Sequence, residues 1–240
     1  MKGYVDLHSH YIPAVDDGVS TLQDGVALVR GLHSIGFDTV IATPHIRSGM
    51  FENRKAGLLQ SFQDLVGAVA ELPLLPQLGL AAEHFCDDMF WDLFVQGEAL
   101  PYPGGHALLF EFPTDRWPLN VEQRVFQMNV RGVRPVLAHP ERYDRLATSS
   151  APIERMLEME VLLLLDVMTL TGKHGRRPRR AAERMLEEGL YFAACSDCHR
   201  PADVEVCATA IERLRELMGA DECERLLSEH PRQILDGLLP

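Results

Sequence analysis

The stretch YVDLHSHYIPAVDDG, residues 4–18, decides how the rest of the chain is read. Its opening, YVDLH (4–8), is a short apolar run with β-branched character, the kind that forms a buried strand. It leads directly into two histidines and, after a short loop, a pair of aspartates. A first strand that ends in groups able to bind metals or protons raises the question of where the other strands end.

Six more runs of this kind follow: TVIAT (39–43), LGLAAE (78–83), ALLFEF (107–112), RPVLAH (134–139), VLLLLDV (161–167) and YFAACS (191–196). Between them, segments 22–36, 56–69, 120–130, 153–159 and 179–189 carry apolar residues at spacings of three and four, the mark of amphipathic helices. Strand alternating with helix implies a parallel sheet, and seven such units fit a closed or nearly closed α/β barrel better than an open sheet. Segments 204–217 and 220–235 read as two or three closing helices.

Composition narrows the function. The chain has 240 residues, 46% of them hydrophobic and 24% charged, enough to bury a substantial core. No Gly/Ser linker, low-complexity block or fixed-period repeat divides it, so residues 1–240 are read as a single domain. A net charge of −12 argues against nucleic acid, which is held by clustered Lys and Arg. A phosphorylated substrate stays compatible if metal ions supply local positive charge. The amino terminus lacks a signal-peptide pattern, and the longest apolar run, VLLLLDVM (161–168), is far short of the ~20 residues that span a bilayer. Five cysteines, an odd number, fit no disulfide framework and agree with a reducing compartment. The expectation is a cytoplasmic protein without membrane insertion.

In a parallel α/β barrel the active site forms at the carboxyl ends of the strands. There, His8 and His10 end the first strand, His45 follows the second, Glu83 ends the third, Glu111 the fourth and His139 the fifth, while Asp197 and His199 follow the seventh. A lone histidine at a strand end is usually a hydrogen-bonded structural residue. A whole set choosing one rim needs another explanation. In HSH (8–10) and DCH (197–199) the paired residues are two apart, so in extended chain they point the same way and can meet one ion or two neighbouring ones. Imidazole mixed with carboxylate suits Mn²⁺, Fe²⁺ or Zn²⁺ better than Ca²⁺ or Mg²⁺. More ligands are present than one ion can use.

The segments DLHSH…DDG, TPHIRSGMFEN, AAEHF, LLFEF, LAHPERYD and CSDCH, in this order, resemble the PHP (polymerase and histidinol phosphatase) family. Within it they resemble the capsule-type bacterial protein-tyrosine phosphatases. The resemblance covers the chain from about residue 3 to its end. H-x-H alone is shared with amidohydrolases; HPERYD and TPHIRSGMFEN make the likeness specific. It implies a distorted seven-stranded (β/α)7 barrel around three metal ions, usually Mn²⁺ and sometimes Fe or Zn. His8, His10, Glu83 and Asp197 would hold one ion. Glu83, Glu111 and His139 would hold a second, with Glu83 as the bridge. Asp17, His45 and His199 would hold the third, and Asp16 is the neighbouring candidate for the role given to Asp17.

The nucleophile expected for such a site is a hydroxide bridging metal ions, which also neutralise phosphoryl oxygens. A cysteine nucleophile is disfavoured: CATAIER (207–213) alone has Arg at the C-x5-R offset, and it lies inside the segment 204–217 read as a closing helix rather than in a phosphate-binding loop. Arginines should grip the phosphate bidentately. Arg142 in HPERYD and Arg47 in TPHIR match family positions beside the metals. Relatives tend to carry an Arg several residues beyond D-x-H, whereas this chain offers only Arg200, directly after His199. CSDC (195–198) has the spacing of a redox dithiol, but Cys195 lies in an expected strand and Asp197 is needed as a ligand. HGRRPRR (174–180), a basic cluster in an acidic chain, reads as a solvated helix start or as a guide for an acidic or phosphorylated peptide.

The leading expectation is a manganese-dependent phosphatase acting on phosphotyrosine in a protein, by analogy a bacterial tyrosine autokinase that controls polysaccharide export. A small-molecule phosphatase, such as one for histidinol phosphate, and a non-catalytic metal-binding regulator are the alternatives. GMFEN and HPERYD favour the first.

Overall fold

Successive side chains of the central strands are buried on opposite faces. Val5, Leu7, Leu109, Val136, Ala138 and Leu164 share one apolar cluster. Leu108, Phe110, Leu137, Leu163 and Leu165 share a second with residues such as Leu28, Leu32 and Leu214. A strand that must satisfy apolar neighbours on both faces has no polar side, which is why LLLLD reads as an unbroken apolar run.

The computed structural model describes residues 3–144 and 151–239. Its elements alternate: β1 (Tyr4–Ser9), α1 (Leu22–Ser34), β2 (Phe37–Ala42), β3 (His45–Ile46), α2 (Lys55–Val69), β4 (Gln77–Leu80), β5 (Glu83–Phe85), α3 (Asp88–Gln96), β6 (Ala107–Glu111) and α4 (Val121–Val130). Next come β7 (Arg134–Ala138), α5 (Ala151–Glu158), β8 (Leu162–Asp166), α6 (Arg176–Glu187), β9 (Ala193–Cys195), α7 (Asp203–Met218), α8 (Ala220–Glu224) and α9 (His230–Asp236).

All pairings between these strands are parallel. They form two sheets, β1-β2-β4 and β3-β5-β6-β7-β8-β9, where seven continuous strands in one barrel were expected. The expected second strand, 39–43, is β2, and β3 lies beyond it, set apart by Pro44, which has no N–H to carry the ladder across. The third divides where the Ala82 N–H turns away to donate to Leu100 O (3.1 Å). Backbone hydrogen bonds stitch the sheets across these breaks, Ala81 N to Ala42 O (2.8 Å) and Glu83 N to Pro44 O (3.1 Å). At the other edge, Asp197 N donates to His8 O and His10 N to Cys198 O, both at 2.9 Å, beside an isolated bridge between Ser9 and Cys198.

Helix α3 lies outside the segments expected to be helical, although its caps are written in the sequence. Asp87 accepts from Phe90 N (2.8 Å) at the start, and Gly97 takes the left-handed conformation at the end. Helix α6 starts at Arg176, so the basic cluster straddles its first turn, with Pro178 where a missing N–H costs nothing. The tail forms α7, α8 and α9, with a π-helical turn at Arg225–Glu229 joining the last two. No helix among the described residues is long and apolar enough to cross a membrane.

Candidate metal centre

The expected ligand positions lie at or beyond the carboxyl ends of β1, β2, β4, β6, β7 and β9, with His45 and Glu83 opening the short strands β3 and β5, and the two sheets bring them to one rim. His8 Nε2 stands 3.2 Å from Glu83 Oε2 and 3.3 Å from Asp197 Oδ1. His10 Nε2 is 3.4 Å from the same Asp197 oxygen. His45 Nδ1 lies 2.9 Å from Glu83 Oε2 and 3.5 Å from Glu111 Oε1, and its Nε2 is 3.4 Å from Asp17 Oδ1. His139 Nε2 meets Glu83 Oε1 at 2.9 Å, and His199 Nε2 meets Asp17 Oδ1 at 3.5 Å.

Four overlapping groups have donor atoms close enough to share an ion: His8/His10/Asp197, His8/Glu83/His139, His45/Glu83/Glu111 and His10/Asp17/His45/His199. Glu83 belongs to two of them, as a bridging carboxylate must. The resemblance grouped Glu111 with His139; the geometry sets Glu111 with His45 and His139 with His8. The neighbouring aspartates are also distinguished. Asp16 Oδ2 is taken by His10 Nδ1 (2.7 Å) and His45 N (3.0 Å), and its Oδ1 by Gly18 N (3.0 Å). Asp17 instead turns its carboxylate toward His45 and His199.

The donor atoms themselves ask for cations. His8 Nε2, His10 Nε2, His45 Nδ1, His139 Nδ1, Glu111 Oε1 and Asp197 Oδ1 are buried without a hydrogen-bond partner, a costly condition for polar atoms unless something else binds them. Electrostatics agree. Burial opposes charge on Glu83, yet His8 and His45 hold its carboxyl well below the usual range. Asp197 behaves likewise, held down against burial by His8 and Arg142. Burial alone would lower His199, but Asp197 and Asp17 push it up to about 9. A rim that draws protons onto imidazoles is a rim built for positive charge. The residues therefore fit a metal cluster.

Backbone strain concentrates here. His139 (φ 34°) and Asp197 (φ 48°) occupy the left-handed region that non-glycine residues rarely visit. Extended chain was expected to align Asp197 with His199. The chain is not extended at Asp197; the left-handed turn brings its Oδ1 within 3.7 Å of His199 Nδ1 instead.

The arginines differ from one another. Arg142 is placed at the rim but engaged: its Nη2 donates to Asp197 Oδ2 (2.5 Å) and to Asp166 Oδ2. Arg47 lies over the Phe85 ring, 4.1 Å from the centroid. Arg200 is exposed.

Three residues escaped the sequence reading. Asp166 ends β8, the strand for which no polar rim residue was assigned, and the D of VLLLLDV was the available signal. Phe51 stacks on His45 (centroids 5.4 Å apart, planes at 12°). Asn53 Nδ2 donates to Val15 O and His45 O, both at 2.8 Å, clamping together the loops that follow β1 and β2. GMFEN thus has a physical task that its composition did not disclose. The redox reading of CSDC finds no support: Cys195 Sγ donates to Leu165 O (3.3 Å), burial pushes its thiol well up, and all five cysteines are buried and free.

Residues 4–236 match the family model described as capsular polysaccharide synthesis, CpsB/CapC. The tyrosine-protein phosphatase YwqE of Bacillus subtilis is 27% identical over 197 residues, covering 81% of this chain and 77% of that protein. The tyrosine-protein phosphatase CpsB of Streptococcus pneumoniae is 23% identical over 240 residues, covering 96% and 98%. A crystal structure from work on YwqE and CpsB, there called unique metal-dependent tyrosine phosphatases, aligns over 97% of this chain and 94% of its own with a TM-score of 0.88 at 24% identity. A prolidase shares the fold more distantly, with a TM-score of 0.55 at 12% identity. Since the family match runs from the first strand through the last helix and takes in every residue of the rim, the chain belongs to the capsular polysaccharide synthesis CpsB/CapC family.

Proposed function

We propose that this chain is a metal-dependent protein-tyrosine phosphatase whose substrate is a phosphotyrosine protein, in particular a bacterial tyrosine autokinase of capsule or exopolysaccharide synthesis. The observation that carries the reading is the set of buried, unpartnered imidazole and carboxylate atoms on one rim beside a guanidinium. Relatives over most of the chain are named tyrosine-protein phosphatases. The free cysteines support a cytoplasmic location.

The ligand set is His8, His10, Asp17, His45, Glu83, Glu111, His139, Asp197 and His199, holding three ions, with Mn²⁺ the expected metal and Fe or Zn admissible at some sites. Asp17 rather than Asp16 is the ligand, because Asp16 is spent on orienting His10 and the His45 backbone. β2 with β3, and β4 with β5, act as two bent strands, which makes seven in a PHP-type ring closed by the contacts between His8–His10 and Asp197–Cys198.

Bound ions would acidify coordinated water and neutralise phosphoryl charge. The chain's own groups do the rest. Arg142 presents a guanidinium to the phosphate while keeping Asp197 in place. Phe51 and Asn53 hold His45 in its orientation. The cysteines take no part, since burial raises the Cys195 thiol well above its ordinary value and the Cys86 thiol to about 11.

Turnover of a phosphotyrosine peptide and of histidinol phosphate, measured before and after exhaustive chelation and again after Mn²⁺ is restored, tests this directly. Activity on the peptide should vanish with the metal and return with it. Full peptide activity in protein shown by elemental analysis to be metal-free overturns the metal reading, and a strong preference for histidinol phosphate overturns the substrate.

A further inference from the structure

Asp166 is fully buried, yet it ends β8 at the rim, and the ligand set above gives it no task. Its Oδ1 accepts from Met168 N (2.8 Å). Its Oδ2 accepts from Thr169 Oγ1 (3.2 Å) and from Arg142 Nη2, and lies 2.7 Å from His174 Nε2. Arg142 and His174 thus converge on a single carboxylate oxygen. The same guanidinium reaches Asp197, so His174 stands one carboxylate and one arginine away from the candidate metal groups.

The segment carrying His174 is built to hold it there. Gly172 and Gly175, both at positive φ, let the chain turn back over the end of β8. Lys173 Nζ is anchored to Asp203 Oδ1 (2.7 Å), and the other oxygen of Asp203 accepts from the backbone N–H groups of His199 (2.9 Å) and Arg200 (3.1 Å). The loop is therefore pinned beside the segment that carries Asp197 and His199. The imidazole keeps 27% of its surface exposed and Arg142 keeps 17%, so both side chains border solvent beside the candidate metal groups.

We propose that His174 is a substrate-contact residue, oriented through Nε2 by Asp166 and donating from Nδ1 to a phosphoryl oxygen of phosphotyrosine, next to Arg142. The inference rests on the phosphatase reading and names the group that completes its phosphate grip. The other candidates are worse placed: Arg47 is stacked on Phe85, and Arg200 is exposed. A carboxylate behind an imidazole fixes which nitrogen faces outward. An imidazole N–H beside a guanidinium is the chemistry a phosphate dianion selects.

The test compares His174→Ala and His174→Gln with the wild type, metal-loaded in each case. It reads KM and kcat on a phosphotyrosine peptide, inorganic phosphate binding by calorimetry, and bound metal by elemental analysis. His174→Ala should raise KM and weaken phosphate binding by about tenfold, the size of one hydrogen bond to a charged group, with metal content unchanged. His174→Gln keeps a donor and should recover part of the loss. Phosphate binding and KM within twofold of wild type in both variants overturn the proposal, as does a loss accompanied by equal loss of metal. Should the wild type turn over no phosphotyrosine peptide, the phosphatase reading falls, and the calorimetric comparison alone decides the role of His174.

Discussion

Asp16 and Asp17 are adjacent and chemically identical, and the difference between them is entirely one of direction. Asp16 spends both oxygens on His10, Gly18 and the His45 backbone, whereas Asp17 faces two imidazoles, whose hydrogen bonds hold its carboxyl below the usual range. Asp17→Asn should therefore lower the metal content of the purified protein, because a ligand is lost outright. Asp16→Asn should retain the full complement of ions at saturating metal but bind them on the order of 10-fold more weakly, the usual cost of losing a group that orients a ligand. Elemental analysis at saturation, together with a metal titration, separates the two. Equal stoichiometry in both variants would reverse the assignment.

At the scale of elements, the rim depends on close approaches between loops more than on the strands beneath it. Gly18 is the sharpest case, and its constraint is space. A Cβ there would sit 2.3 Å from His10 O, and backbone cannot move aside as a flexible side chain would. Gly18→Ala should displace the loop that carries Asp16 and Asp17, at a cost of about 1–3 kcal/mol. Calorimetry should report a lower Tm, and titration weaker metal binding. Unchanged values for both would mean that the loop is freer than its packing indicates. The broken strands have a related consequence. β2 stops at Ala42, Pro44 follows in the break, and His45 begins β3, so the break that divides the sheet also releases the histidine from the strand's alternation.

Across the whole molecule, the carboxyl-terminal helix α9 is tied to the opening of the chain. Arg232 Nη2 donates to Gly3 O (2.8 Å) and to both oxygens of Asp38 (2.7 and 2.9 Å), and Gly3 N donates to Asp38 Oδ2 (2.7 Å). Burial opposes charge on Asp38, but Arg232 and the other donors prevail and hold its carboxyl below the ordinary value of 3.8. A depressed folded-state value contributes stability that is present above 3.8 and lost as pH falls through the folded-state value. The pair is screened by solvent, so Asp38→Asn should cost about 0.5 kcal/mol near neutral pH. The gap from wild type should close on acidification below the ordinary carboxylate range. Denaturant titrations at neutral and acid pH measure it, and a gap that widens on acidification would contradict the linkage.

The alternation of apolar strands and amphipathic helices, the closing helices and the set of imidazoles and carboxylates that share one rim were all legible in the chain, because burial on both strand faces and metal-binding residue types each leave a residue-level mark. The strand ends were legible too, as the points where apolar runs stop at His or at a carboxylate. Which donor atoms meet was not. The division into two sheets, the approach of Glu111 to His45, the different directions of Asp16 and Asp17, and the convergence of Arg142 and His174 on Asp166 all join residues far apart along the chain or turn on the direction of one side chain. These are settled by hydrogen bonds and left-handed turns that form only once the strands are packed, and no local pattern of residues records them.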